Sequence, residues 1–189
     1  MKKNLYILFG VGAVIAIVWM FFVNTPVIRY LSVDDSNQAF GESTLSFELQ
    51  QGTYELHLYH YHFGNALVRE SLGTLVVHDN NEQITFDSNL VEENIHLRID
   101  AMDFQNTVTL TLDFDTDGSL WSAQPVNETI RRLPDCDEKM LVAYQLTSGM
   151  VILPELLNSV ELGEQVDEFS EGEYIIMITI QNSNCSVSN

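Results

Sequence analysis

Between Tyr54 and Phe63 the chain reads Tyr-Glu-Leu-His-Leu-Tyr-His-Tyr-His-Phe, a run rich in imidazole and phenol groups. Side chains of an extended strand alternate between two faces. Alternation places Tyr54, Leu56, Leu58, His60 and His62 on one face and Glu55, His57, Tyr59, Tyr61 and Phe63 on the other. Two imidazoles two residues apart on a strand face, as in His60 and His62, can be presented to a metal ion. A third ligand would have to come from elsewhere, and His78 and His96 are the candidates. The same imidazoles could titrate near pH 6.5 and switch an interface, or be ordinary polar residues at a strand end. If Leu56 and Leu58 face the core, Tyr59, Tyr61 and Phe63 form an aromatic strip facing solvent, a ligand or another chain. Tyrosine favours interfaces because it buries area while keeping a polar tip. The alternative is a strand buried on both sides.

A second group is Asp113-Phe-Asp115-Thr-Asp117-Gly118-Ser-Leu120. It fits the opening positions of a calcium loop, with carboxylates at alternate positions, then glycine, then an aliphatic residue. Gln124 stands where such a loop needs its bidentate carboxylate, and an acidic hairpin turn explains Asp-Gly equally well. Calcium at Asp113, Asp115 and Asp117 is the one cofactor this loop hints at, beside the imidazole-bound metal raised for His60 and His62.

Cys136 precedes one expected strand, Lys139–Leu146, and Cys185 follows another, Glu173–Ile180. If these strands are antiparallel neighbours, the start of one abuts the end of the other and the thiols meet. A structural disulfide is then expected, closing a loop of about 48 residues and contributing roughly 4 kcal/mol in the chain-entropy picture. No Cys-x-x-Cys exists to support dithiol catalysis. Gly-x-Ser-x-Gly, His-Glu-x-x-His, the P-loop and a usable dinucleotide fingerprint are also missing from the sequence, so no catalytic residue is assigned.

The elements that must carry these groups are strands. Leu45, Phe47 and Leu49 alternate with polar residues, as do Ile95, Leu97 and Ile99, and then Val108, Leu110, Leu112 and Phe114. Tyr54–Phe63, Leu67–Val77, Gln83–Phe86, Lys139–Leu146 and Glu173–Ile180 also read as strands. Turn signals such as Gln51-Gly52, Asp79-Asn80-Asn81 and Asp117-Gly118 separate them. One helix is expected at Pro154–Leu162, with Pro154 suited to its first turn. Eight to ten short strands indicate an all-β domain, either an antiparallel β-barrel of lipocalin type or a β-sandwich.

Leu5–Val23 is different: an uncharged apolar run of 19 residues, about 28 Å long as a helix, which matches the bilayer hydrocarbon. Its length, and the following Asn24-Thr25-Pro26 without a small-x-small site, favour an uncleaved signal-anchor over a cleaved signal. Two of the 8 basic residues, Lys2 and Lys3, precede the run, while all 27 acidic residues follow it. The N-terminus is therefore expected inside. Residues 1–4 form a cytoplasmic tip, 5–23 the membrane helix and 24–189 a domain in the periplasm or outside a bacterial inner (plasma) membrane. The formal charge of −19 repels nucleic acid and anionic headgroups, so no nucleic acid partner is expected.

This layout, with Lys2, Lys3, Leu5–Val23 and the strands from Leu45 to Ile180, resembles that of the periplasmic companion subunits of ToxR-type membrane-bound regulators. The resemblance covers the whole chain as a plan and carries over no functional residue. It implies a lipocalin-like outer domain that stabilises a membrane-anchored partner and binds a small amphipathic ligand such as a bile salt. The functional expectation is accordingly a non-enzymatic, membrane-anchored binding or accessory module. A surface structural or adhesion component and a small hydrolase without a recognisable motif stand as alternatives. Tyr59, Tyr61, Phe63, His60 and His62 are its candidate ligand- or partner-binding residues.

Overall fold

A computed structural model describes residues 27–31, 42–62, 65–112, 120–133, 137–147, 154–157, 162 and 174–183. The Leu5–Val23 run, Phe63, the Asp113–Asp117 loop, Cys136 and Cys185 lie outside the described residues. Among the described residues no helix is long and apolar enough to cross a membrane.

Eleven strands are described: β1 (Ile28–Leu31), β2 (Glu42–Leu49), β3 (Gly52–His62), β4 (Asn65–Val77), β5 (Glu82–Val91), β6 (Asn94–Ala101), β7 (Phe104–Thr111), β8 (Leu120–Pro125), β9 (Thr129–Ile130), β10 (Glu138–Thr147) and β11 (Tyr174–Asn182). A short helix, α1 (Pro154–Leu157), lies between β10 and β11. The strands form two antiparallel sheets. The first, sheet A, runs β7-β6-β5-β2-β1-β9, and the second, sheet B, runs β4-β3-β11-β10-β8.

Period-2 patterning explains sheet A directly. Leu45, Phe47 and Leu49 of β2, Ile84 and Phe86 of β5, and Ile95, Leu97 and Ile99 of β6 all point inward and are buried. They meet Leu56, Leu58, Val142, Tyr144, Ile176 and Ile178 of sheet B in a single core. Each fully buried aliphatic or aromatic side chain is worth about 1.5–3 kcal/mol of transfer free energy. The outward rows of sheet A are polar. Thr44 donates to Asp87 at 2.8 Å, Arg29 pairs with Glu48 at 2.8 Å, and His96 Nδ1 lies 3.1 Å from Thr109 Oγ1. One face is packed and one solvated, as an antiparallel sheet permits.

Sheet B departs from that rule, because both of its faces are covered. Its outer face carries Tyr59, Tyr61, Ile175, Met177, Ala143 and Met140, which pack with Val126, Leu157 of α1 and the partly buried Leu162. The β10–β11 connection therefore lays apolar side chains over this face. The helix expected at Pro154–Leu162 is described as helix over Pro154–Leu157, with Leu162 in a turn.

The lipocalin-type closed barrel is corrected to two separate sheets. Sheet A ends at β7 and β9, and sheet B at β4 and β8, with no ladder among the described residues joining them. The reason is local on both sides. β8 ends on Pro125, which has no N–H to donate, and the chain then crosses from sheet B to the two-residue β9 of sheet A. Val126 N–H donates to Leu141 O at 2.8 Å and Tyr30 N–H to Glu128 O at 2.7 Å, so the crossing chain itself closes that side. On the other side, a register shift opposite Leu56 and His57 leaves Leu72 as an extra residue in β4. Next to it Gly73 has φ +119°, and a Cβ there would sit 3.2 Å from the Phe104 ring of β7. Asn106 Nδ2 donates to Leu72 O at 2.5 Å. A side chain and a ring contact span this seam where a barrel would have a ladder.

Candidate functional site

The groups singled out in Tyr54–His62 fall on β3, and the alternation predicted for them holds. The register sets Tyr59 opposite Met177 and His57 opposite Thr179 of β11, and Tyr59 opposite Arg69 of β4. Glu138, the first residue of β10, lies opposite Gln181. Four strands thus converge on the outer face of sheet B.

Glu138 is the hub. Its Oε2 accepts from Tyr59 OH at 3.0 Å and from Arg69 Nη2 at 3.4 Å. Its Oε1 accepts from Thr179 Oγ1 and lies 3.2 Å from His57 Nδ1, at ion-pair distance but out of hydrogen-bond alignment. Arg69 Nε donates to Tyr59 OH at 2.6 Å, and its guanidinium carbon sits 5.7 Å from the centre of the Tyr59 ring. Arg69 Nη2 is 3.4 Å from His57 Nε2, with Glu55 Oε2 3.9 Å from the same nitrogen. His57 and Thr179 are buried, whereas the Arg69 side chain is 51% exposed.

The electrostatics follow from this arrangement. Burial, together with the neighbouring Glu138 carboxylate, pushes the Tyr59 phenol up to about 12, outweighing the opposing pull of Arg69. Burial works against the Arg69 charge, but its bond to Tyr59 and the Glu138 carboxylate outweigh it, and its pKa is raised. Desolvation penalises charged forms, and a partner of opposite sign restores them. Here the carboxylate supplies that partner, and both of its oxygens are already engaged.

The inner face of β3 behaves differently. His60 Nδ1 lies 2.7 Å from Tyr174 OH of β11, and the His62 ring stands 5.9 Å from the Tyr174 ring. His60 Nε2 is buried without a hydrogen-bond partner. Burial lowers the His60 pKa, against a smaller opposing influence of Glu70. The strand pair β3–β11 thus gives His60 and His62 a tyrosine as neighbour. His78 instead reaches Asp103 at 3.4 Å, and His96 reaches Thr109 on the outer face of sheet A. Among the described residues no three His, Cys, Asp or Glu side chains are grouped to hold a metal ion.

Of the aromatic strip expected to face solvent, a ligand or another chain, Tyr59 and Tyr61 are described, and for them the alternative of a strand buried on both sides holds. Tyr59 is 4% exposed and Tyr61 0%, so β3 is a strand buried on both sides, with Leu157 and Met177 over its tyrosines. Glu138, Arg69, Thr179 and Tyr174 had no linear signal, because each comes from a different strand than the histidines. The pairing on which the disulfide expectation rested is present, since β10 and β11 are antiparallel neighbours with Glu138 opposite Gln181.

At the far side of the core, Tyr144 stacks on Trp121 with ring centres 5.6 Å apart and planes at 7°. Trp121 Nε1 donates to Ser88 Oγ at 3.4 Å. The Tyr144 hydroxyl is buried without a partner, and burial, with Asp87 nearby, raises its pKa. Sheet A carries an open, shallow depression lined by Glu42, Thr44, Asp87, Asn89, His96 and Arg98. Comparison with protein-family models, with curated proteins and with solved structures gives no match.

Proposed function

We propose that this chain is a membrane-anchored, extracytoplasmic accessory module that supports the outer domain of a membrane partner and does not catalyse a reaction. The observation that carries this reading is the state of Glu138. Its two oxygens are taken by Tyr59, Thr179 and Arg69, with His57 beside them. A general base needs a lone pair within reach of a substrate proton. A carboxylate with both oxygens engaged by its own fold serves better to fix four strands in register.

Two further features support the reading. The charge-free Leu5–Val23 run supplies an anchor, and the acidic composition of the rest keeps the domain off anionic headgroups and free to meet a partner. The space between the sheets is filled by Phe47, Phe86, Leu56, Leu58, Ile176 and Ile178, all at 0% exposure. That filling favours support of a partner over storage of an amphipathic ligand inside the fold.

Native mass spectrometry of the full-length protein, extracted gently from its own membrane, tests this. A stoichiometric second protein is the expected result. A species containing this chain alone, whether one copy or two, would count against it.

A further inference from the structure

Exposed strand edges are pairing sites unless something blunts them, and charge, proline, bulges or shortness are the usual means. Four described strands stand at sheet edges: β7, β9, β4 and β8. β4 carries Arg69 and Glu70 and register shifts, β8 ends in Pro125, and β9 has only 2 residues. β7 has no charge, proline or bulge of its own, and only its start, Phe104 and Asn106, meets β4. It reads Phe-Gln-Asn-Thr-Val-Thr-Leu-Thr over 8 residues, with no charge, proline or glycine. It pairs with β6 in unbroken register from Ala101↔Phe104 to Asn94↔Thr111.

The direction of the free backbone groups can be read off. Leu112 N–H donates to Glu93 O, on the β6 side. N–H and C=O groups alternate sides along an antiparallel strand. Asn106, Val108 and Leu110 therefore spend theirs on β6, and Gln105, Thr107, Thr109 and Thr111 point theirs away from the sheet. The side chains of those four are exposed, and Phe104, Asn106, Val108 and Leu110 on the inner face are only partly buried. The edge is thus incomplete in two ways, with unspent backbone groups and with apolar side chains half covered.

We infer that β7 is the contact edge through which two copies of this chain pair, sheet A to sheet A. The strand is complementary to itself. Antiparallel pairing in phase sets threonine against threonine on the outer face and brings Val108 and Leu110 of each copy to the same inner face. Cross-strand pairs of these types are favourable. Charge selects the same place. Two copies of a chain at −19 repel, and a strand free of charge is where they approach with least penalty. On neighbouring β6, opposite Thr107 and Gln105, Arg98 and Asp100 pair with each other and so add little net charge beside the edge. A foreign strand would need its own reason to match this alternation, whereas a second β7 matches it by identity. The pairing requires no heterologous partner, so it stands or falls apart from the accessory reading.

Sedimentation equilibrium of the full-length protein in density-matched detergent tests the inference, with two variants. Thr109→Pro removes one outward N–H and leaves the β6 ladder intact. The double variant Thr107→Glu with Thr109→Glu sets like charges across the new interface without touching the core. Circular dichroism checks that each is folded, and the glutamate pair serves if the proline variant is not. The expected result is a reversible dimer, weakened at least about tenfold by either substitution. It should tighten as salt rises from about 50 to about 500 mM, because screening removes the repulsion. A monomer throughout, or a dimer indifferent to a folded variant and to salt, would overturn the inference.

Discussion

Glu138→Ala is the most informative single change. Three donors lose their acceptor: Tyr59 OH, Thr179 Oγ1 and Arg69 Nη2. They are not equal. The Arg69 side chain is 51% exposed, so water replaces what it loses and its share is within the small range of exposed ion pairs, about 0–1 kcal/mol. Tyr59 and Thr179 are 4% and 0% exposed, and a buried hydroxyl left without a charged acceptor costs about 1–3 kcal/mol. Partial relief comes from the His57 carbonyl, 3.5 Å from Thr179 Oγ1. The sum is a loss of about 3 kcal/mol for alanine. Glu138→Gln keeps one acceptor oxygen, which serves either the Thr179 side or the Tyr59 side, and should cost about half as much. Urea denaturation of the full-length protein in mild detergent gives the midpoint and slope, and the slope should not change. A double-mutant cycle with Tyr59→Phe should return a coupling of about 1 kcal/mol. If Glu138→Ala lies within about 0.5 kcal/mol of wild type, the range of ordinary surface changes, the hub role of this carboxylate is refuted.

Four other outcomes follow from the same geometry. The Tyr59 phenol, held up to about 12, should ionise above the ordinary tyrosine value of about 10 in an ultraviolet titration compared with Tyr59→Phe. Neutral Tyr59 then contributes stability in full below the ordinary pKa of about 10, and that contribution is lost as pH rises from there toward 12. His60 has a lowered pKa, so the unfolded chain takes up its proton first. The fold loses stability as pH falls below about 6.5, and His60→Phe should flatten that limb of a pH–melting profile. Gly73→Ala forces a side chain into φ +119° with its Cβ 3.2 Å from Phe104; a cost of about 1–3 kcal/mol, read by thermal melting, is expected. Cys136 and Cys185 should be found oxidised to each other, with a mass about two daltons below the reduced chain and a lower melting temperature after reduction.

Much of the fold was legible in the residues. In β7, alternation at Val108 and Leu110 against Thr107, Thr109 and Thr111 gave both the strand and its inward face. Two kinds of information were not there to read. Alternation says which side chains share a face but not what lies on that face. Tyr59 and Tyr61 are covered by Leu157 from a segment nearly a hundred positions away, so their burial could only be an alternative. Closure is likewise decided at edges. Whether eleven strands make a barrel or two sheets depends on Pro125, on the two-residue β9 and on the bulge at Leu72, none of which affects strand count or spacing. The site was half visible. β3 announced its histidines and tyrosines, but Glu138, Thr179 and Arg69 joined them through register alone.

The place of β11 in sheet B has a consequence for biosynthesis. This strand, Tyr174–Asn182, lies between β3 and β10, so residues 52–62 wait for a neighbour made more than a hundred residues later. Non-local pairing of this kind slows folding. Until that strand arrives, β3 and β10 are raw edges of a split sheet, open to wrong partners. A polypeptide made in N-to-C order would hold its hub carboxylate, its central tyrosines and half its core unassembled until then. The sandwich cannot close before the last strand is made, and factors that hold unfinished chains would find their client in β3.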